Sequence, residues 1–143
     1  DRDACRRWAG PLVRYTRDPA SLARQIGFRP GNSHVLTVGD TLVGFGQLLA
    51  PRPWARHLTR VVVAPEQRGA GFGRALCEAL MARARRDGAS QLSLYVYRDN
   101  PRAHRLYEAL GWRRCRPPRL PLPAGLSYML NDLTNVAPAA DPD

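Results

Sequence analysis

Apolar positions along the chain fall into short runs of two different periods. Between residues 34 and 49, "HVLTV" and "TLVGFGQLL" are rich in β-forming side chains and flank Gly39-Asp40, a two-residue turn signal. This segment predicts a hairpin. Gly44 and Gly46 lie inside its second strand, where a missing side chain points to a bulge or a close neighbour. "APRPWAR" follows, and its two prolines predict a loop that is not a central strand. Residues 58–64, "LTRVVVA", form a continuous apolar run typical of a strand buried on both faces, ended by Pro65. The period then becomes helical. Leu76, Ala79, Leu80 and Ala84 share one face, while Arg74, Glu78, Arg85 and Arg86 lie largely off it, and Gly88 closes the helix. "QLSLYVY" at 91–97 is another buried strand. Strand, helix and strand make a βαβ unit whose strands run parallel.

The pattern repeats in "NPRAHRLYEALGWRR". Pro101 suits a first helical turn, Ala103, Leu106, Tyr107 and Leu110 share one face, and Gly111 is a C-terminal signal. "WRRC" and "SYMLNDL" predict two last strands joined by the proline-rich stretch 117–123. Residues 1–33 are less periodic. "DACRRWAGPLVRY" and "DPASLARQIGF" hold helical fragments, Asp18-Pro19 is a helix start, and Pro30, Gly31 and Asn32 mark a loop. The tail from Val136 predicts disorder. No internal repeat is visible.

A chain of 143 residues suits one domain, read here as residues 1–135 with 136–143 as a flexible tail. The hydrophobic fraction of 44% is that of a globular protein. No apolar run is long enough for a membrane span and no leader opens the chain, so the expectation is a cytoplasmic protein without membrane partners. Cys5, Cys77 and Cys115 form no C-x-x-C pair. They read as reduced thiols, with no metal site. The formal charge is +10, and all 22 basic residues are arginine. Such a field suits a polyanion or a phosphate-rich small ligand. The arginines are scattered from Arg2 to Arg119 in short pairs, which disfavours nucleic acid.

The sharpest chemistry sits at residues 61–73. The strand "VVVAPEQ" runs into "RGAGFG" and then into a helix. Three glycines at alternate positions, Gly69, Gly71 and Gly73, allow a tight turn and keep side chains out of a ligand's way. The helix N-terminus adds unpaired N–H groups and partial positive charge, an anion site suited to a pyrophosphate. Arg68 and Arg74 can add charge. The spacing is G-x-G-x-G, not the dinucleotide G-x-G-x-x-G, and no G-K-[ST] is present.

"VVVAPEQRGAGFGRAL" resembles the acetyl-CoA signature of the GNAT N-acetyltransferase superfamily, R/Q-x-x-G-x-G/A, with Arg68, Gly71 and Gly73 at its fixed positions. "LYVYRDNPRAHRLYEALGW" is similar to the next strand and helix of that family, with Asn100, Ala103, Tyr107 and Gly111 in their places. The resemblance covers about residues 34–116. It implies a single α/β domain with a central mixed, mostly antiparallel sheet, a parallel βαβ pair and flanking helices. It also implies acetyl-CoA as co-substrate, with no metal, and a small-molecule or peptide amine as acceptor. The backbone of Val61, Val62 and Val63 would pair with the pantetheine arm like an added strand. The pyrophosphate would lie on the backbone of Arg68, Gly69, Ala70, Gly71, Phe72 and Gly73, with Arg74 and Ala103 beside the cofactor. Asn100 would hold the pantetheine section as well as cap its helix. Tyr107 would be the general acid that protonates the leaving thiolate. Relatives are often dimers, so a homodimer stays open.

Two departures from the family stand out. Many relatives carry a glutamate on the strand before the glycine turn, but "HLTRVVV" has no carboxylate and Arg60 stands there instead. Glu66 falls on the loop, His57 reads as an exposed loop histidine, and Gln47 could only orient a water, so no base is assigned. The usual opening strand is also missing, and residues 1–33 are expected to line the acceptor pocket. Two rival readings remain: an acetyl-CoA sensor without catalysis, and a basic nucleic-acid-binding module.

Overall fold

The computed structural model describes residues 1–10, 12–119, 122 and 125–135. The tail from Val136 lies outside them. A six-stranded sheet is laid out in the order β1-β2-β3-β4-β6-β5. Its strands are β1 (Ser33–Val38), β2 (Thr41–Arg52), β3 (Ala55–Val63), β4 (Gln91–Tyr97), β5 (Arg113–Arg114) and β6 (Leu126–Asp132). Among the described residues four α-helices flank it: α1 (Arg2–Ala9), α2 (Pro19–Gln25), α3 (Phe72–Arg86) and α4 (Pro101–Ala109). All strand pairs are antiparallel except β3 with β4, which are parallel and joined through α3. The expected mixed sheet with its parallel βαβ pair is therefore present. Among the described residues no strand precedes Ser33, and no helix is long and apolar enough to cross a membrane.

Local chemistry explains most element ends. Asp18 caps α2 by accepting from the Ala20 and Ser21 N–H groups, with Pro19 at the first position. Gly88 and Gly111 take positive φ just beyond the ends of α3 and α4. "APRPWAR" departs from its expectation. β2 runs on to Arg52 and β3 starts at Ala55, so Pro53-Trp54 is the tip of a long hairpin. Pro51 is tolerated because β2 has run past its last pair with β1, Gln47 with Ser33, and is exposed there.

The main core lies between the sheet and α3 with α4. It includes Leu48, Leu58, Leu76, Leu80, Leu92 and Met129. On α3 the buried stripe is Leu76, Cys77, Leu80, Met81 and Ala84. Ala79, expected on it, is exposed, because the stripe is turned toward Cys77 and Met81. Gly44 and Gly46 face α3 closely. A Cβ at Gly46 would stand 2.8 Å from Leu80 Cδ1, and one at Gly44 would stand 3.2 Å from Leu76 Cδ2. A second, small cluster on Phe45 joins α1 and α2 through Ala9, Val13 and Ile26.

Candidate active site

β3 and β4 pair only from Ala55 with Gln91 to Leu58 with Leu94. Beyond that point they separate. On its other edge β3 keeps pairing with β2, Phe45 standing opposite Val62 and Gln47 opposite Thr59. Between these pairs one residue of β2, Gly46, faces two of β3, Arg60 and Val61, which is a β-bulge. Arg60 is the non-glycine residue with positive φ (53°) among the described residues. The bulge and the separation open the sheet at one end. That is why Val61, Val62 and Val63 are partly exposed and not buried on both faces.

Two clefts occupy this end. The longer, about 440 Å³, is bounded by Val61–Val63, by the turn into α3 and by α4. Gly69 and Gly71 bend the turn with φ of 85° and 83°. Gly73 is helical, and a Cβ there would make only ordinary contacts with Val63 and Leu106. Two of the three glycines therefore make the turn, and the third keeps the cleft wall bare. Gly71 is the N-cap of α3 and makes no side-chain cap, so the first N–H groups of the helix stay open toward the cleft. A Cβ on Gly71 would meet no atom within 4 Å. Phe72 also lines the cleft, but Ala70, expected at the site, does not.

Arg68, Arg74 and Arg102 give this cleft positive charge, and no carboxylate lines it among the described residues. Arg74 Nε donates to Glu78 at 2.9 Å. Arg68 Nε donates to the Val63 carbonyl at 3.1 Å, so one backbone group expected to be free is occupied. Asn100 Oδ1 accepts from the Ala103 N–H at 3.2 Å and caps α4, leaving its amide N–H groups for a ligand. Gln67, Arg102 and Leu106 also line the site, beyond the residues that the motifs mark. The signal for Arg102 is its place in the first turn of a helix whose N-cap the sequence implicates.

The smaller cleft, about 110 Å³, lies between β3 and β4 and is bounded by α1. Its lining includes Arg7, Trp8, Thr59, Arg60, Tyr95 and Tyr97. Arg7 donates to both carboxylate oxygens of Asp99 at 3.1 Å, and its guanidinium lies 5.6 Å from the Tyr97 ring centre. The two clefts share Val61, Asn100, Ala103 and Tyr107. Tyr107 packs edge-on against Trp112 at 5.5 Å. Burial, with the neighbouring Cys77, holds its phenol well above the ordinary value. The Cys77 thiol is itself pushed up to about 12 by burial and by Glu78.

Three residues weighed as bases sit elsewhere. Glu66 is exposed on a 3-10 turn, Pro65–Gln67, and lines neither cleft. His57 is not an exposed loop residue. It lies half-buried on β3, with Nδ1 2.8 Å from Ser93 Oγ and its pKa lowered to about 4, first by burial and then by Arg60. Gln47 is 0% exposed and bonded to Ile26, Ser33 and Arg60, so it has no water to orient.

The sequence profile of the acetyltransferase (GNAT) family matches residues 2–112, which takes in α1 and α2 as well as both motifs. The chain is 38% identical over 104 residues to a mycothiol acetyltransferase of Streptomyces avermitilis, covering 70% of this chain and 32% of that protein. It spans less than half the length of the curated relatives it matches. The ribosomal-protein-S18-alanine N-acetyltransferase of Escherichia coli superposes with a TM-score of 0.62 at 25% identity, over 76% of this chain and 72% of that one. A Bacillus subtilis acetyltransferase in complex with CoA superposes with a TM-score of 0.62 at 19% identity, over 70% and 75% of the two chains. The chain belongs to the acetyltransferase (GNAT) family.

Proposed function

We propose that this domain moves the acetyl group of acetyl-CoA to a primary amine by direct attack in a ternary complex, with Tyr107 as general acid. The observation that carries the reading is the meeting of the two clefts at Val61, Asn100, Ala103 and Tyr107. One cleft is bounded by α3 and α4 and the other by α1, so a donor and an acceptor can reach one point from different sides.

The long cleft suits acetyl-CoA by its own chemistry. It offers uncapped N–H groups, a glycine wall that a Cβ would occupy, and three arginines. Bound there, acetyl-CoA would supply an activated acetyl thioester. The N–H groups of Phe72, Gly73 and Arg74 would hold the pyrophosphate. The open edge of Val61 and Val62 and the Asn100 amide would hold the pantetheine arm. In the reaction the amine nitrogen bonds to the acetyl carbon, the carbon–sulfur bond breaks, and the amine's surplus proton leaves to water. Tyr107 Oη gives its proton to the sulfur and regains one from solvent. Its raised pKa keeps that proton in place beforehand. The same burial would raise the pKa of a thiol held beside it, which narrows the gap between donor and acceptor of the proton.

No Asp, Glu or His lines the smaller cleft among the described residues. The acceptor on this reading enters as a neutral amine. That same lining favours one rival, a domain that binds acetyl-CoA without turning it over. Thermal unfolding with acetyl-CoA, with duplex DNA as control, and thiol release across an amine panel decide between them. Acetyl-CoA at a hundred times its Kd should stabilise the wild type by about 2.7 kcal/mol. Gly71→Val should lose that shift, because a branched side chain opposes a φ of 83° and fills the phosphate site. Stabilisation without amine-dependent thiol release would leave the binding-only reading. Stabilisation by DNA alone would overturn both.

A further inference from the structure

We infer that Arg60 is a positioning residue that locks the free edge of Val61–Val63 to the N-terminal helix, so that α1 controls the long cleft without lining it. The inference rests on the reading of that edge as the seat of the pantetheine arm.

Arg60 breaks three ordinary rules at once. A non-glycine residue with φ near 53° is strained, because its Cβ crowds the backbone. It sits at a bulge, and its guanidinium is drawn into the protein far enough that burial lowers its pKa. A charge in such a place needs partners, and this one has them. Nε donates to the Ala9 carbonyl at 3.1 Å and Nη1 donates to Gln47 Oε1 at 3.1 Å. Gln47, itself fully buried, donates from Nε2 to the Ile26 carbonyl at 3.2 Å and to Ser33 Oγ at 3.1 Å. From the other side, Trp8 Nε1 donates to the Arg60 carbonyl at 2.9 Å. Backbone and side chain of one strained residue are thus clamped by the last turn of α1 and by β2.

The clamp stands just past the last β3–β4 pair and just before Val61. A bulge residue freed from it can return to ordinary extended backbone, and a one-residue change in a strand turns every following residue to the other face. The Val61–Val63 edge would then no longer face the long cleft. Trp8 and Ala9 contribute nothing to that cleft's lining. A substitution at Trp8 that keeps its packing on Phe45 but removes the indole N–H therefore acts on that edge through the hydrogen bond to the Arg60 carbonyl.

The test is CoA binding by calorimetry, on variants whose fold is checked by circular dichroism. Failure of the wild type to bind CoA would overturn the reading of the cleft itself. Given wild-type binding, Trp8→Phe keeps the aromatic packing on Phe45 and deletes one donor. Arg60→Gly takes the positive φ without strain and deletes the guanidinium. Each should raise the Kd for CoA by roughly threefold to tenfold, the range of one or two lost hydrogen bonds. Wild-type Kd in both folded variants would overturn the inference. So would wild-type Kd in Arg60→Gly beside weak binding in Arg60→Ala, since backbone φ alone would then suffice. If Arg60→Gly fails to fold, Trp8→Phe decides by the same criterion.

Discussion

A hydroxyl that protonates a leaving sulfur must hold its own proton until the bond breaks and must stand where the sulfur departs. On the proposed reading Tyr107 would meet the first condition through burial, which raises its pKa, and the second through its place in the lining of both clefts. Its contact with Trp112 uses the ring, so removing the hydroxyl leaves the packing intact. Tyr107→Phe should therefore keep the fold and bind CoA within about twofold of wild type. Its turnover should fall by roughly a hundredfold or more, the usual worth of a general acid. Unchanged turnover with a good acceptor would remove Tyr107 from the chemistry. The positions of Tyr107 and Asn100 on α4 are legible in the sequence because the cap and apolar face of that helix can be counted, while their proposed roles come from the family resemblance. Trp8, Thr59, Tyr95 and Tyr97 are not. They meet only because β3 and β4 part after Leu58, and nothing in "HLTRVVV" announces where pairing stops.

Elements are legible where period and punctuation agree. The strand, glycine turn and helix at 61–86, the parallel strand at 91–97 and the helix capped by Asn100 all stand where expected. The failures have physical reasons. Ala79 fits the apolar face on spacing, but a stripe is set by what it packs on, and the sheet draws Cys77 and Met81 inward instead. The prolines of "APRPWAR" forbid a central strand but not a hairpin end where β2 has run past its partner β1. Gly44 and Gly46 are ambiguous in sequence between bulge and close approach; both approach α3 closely, and Gly46 also faces the bulge of β3. Gly46→Val tests it. Its Cβ would start 2.8 Å from Leu80 Cδ1 and 3.6 Å from Val61 Cγ2, leaving no room for two further methyls. Such overpacking should cost about 2 kcal/mol in urea unfolding. Gly31→Ala meets nothing within 4 Å and should stay within about 0.5 kcal/mol of wild type. Equal stabilities of the two variants would show that α3 can move off the sheet freely.

Across the whole molecule the arginines behind the net charge of +10 are scattered, and three of them, Arg68, Arg74 and Arg102, share a wall of the long cleft that no carboxylate lines among the described residues. The same excess of arginine reaches a group that the chemistry leaves unused. His57 ties β3 to β4 through Ser93 and lies 5.1 Å from the Tyr95 ring. Burial and Arg60 lower its pKa from 6.5 to about 4. Because the folded pKa is the lower one, the unfolded chain binds the proton first as pH falls. Stability from this group is complete above about pH 6.5 and drains away as pH falls toward 4, below which both states are charged. The slope reaches about 1.4 kcal/mol per pH unit, and the total is on the order of 3 kcal/mol. His57→Gln keeps a polar partner for Ser93 and cannot titrate. The carboxylates titrate alike in both proteins, so the difference between their urea-unfolding curves isolates His57. From pH 7 to pH 4 the wild type should lose roughly 2–3 kcal/mol more than the variant. Parallel curves would mean that the imidazole stays open to solvent and that the β3–β4 seam beside the clefts is looser than its hydrogen bond implies.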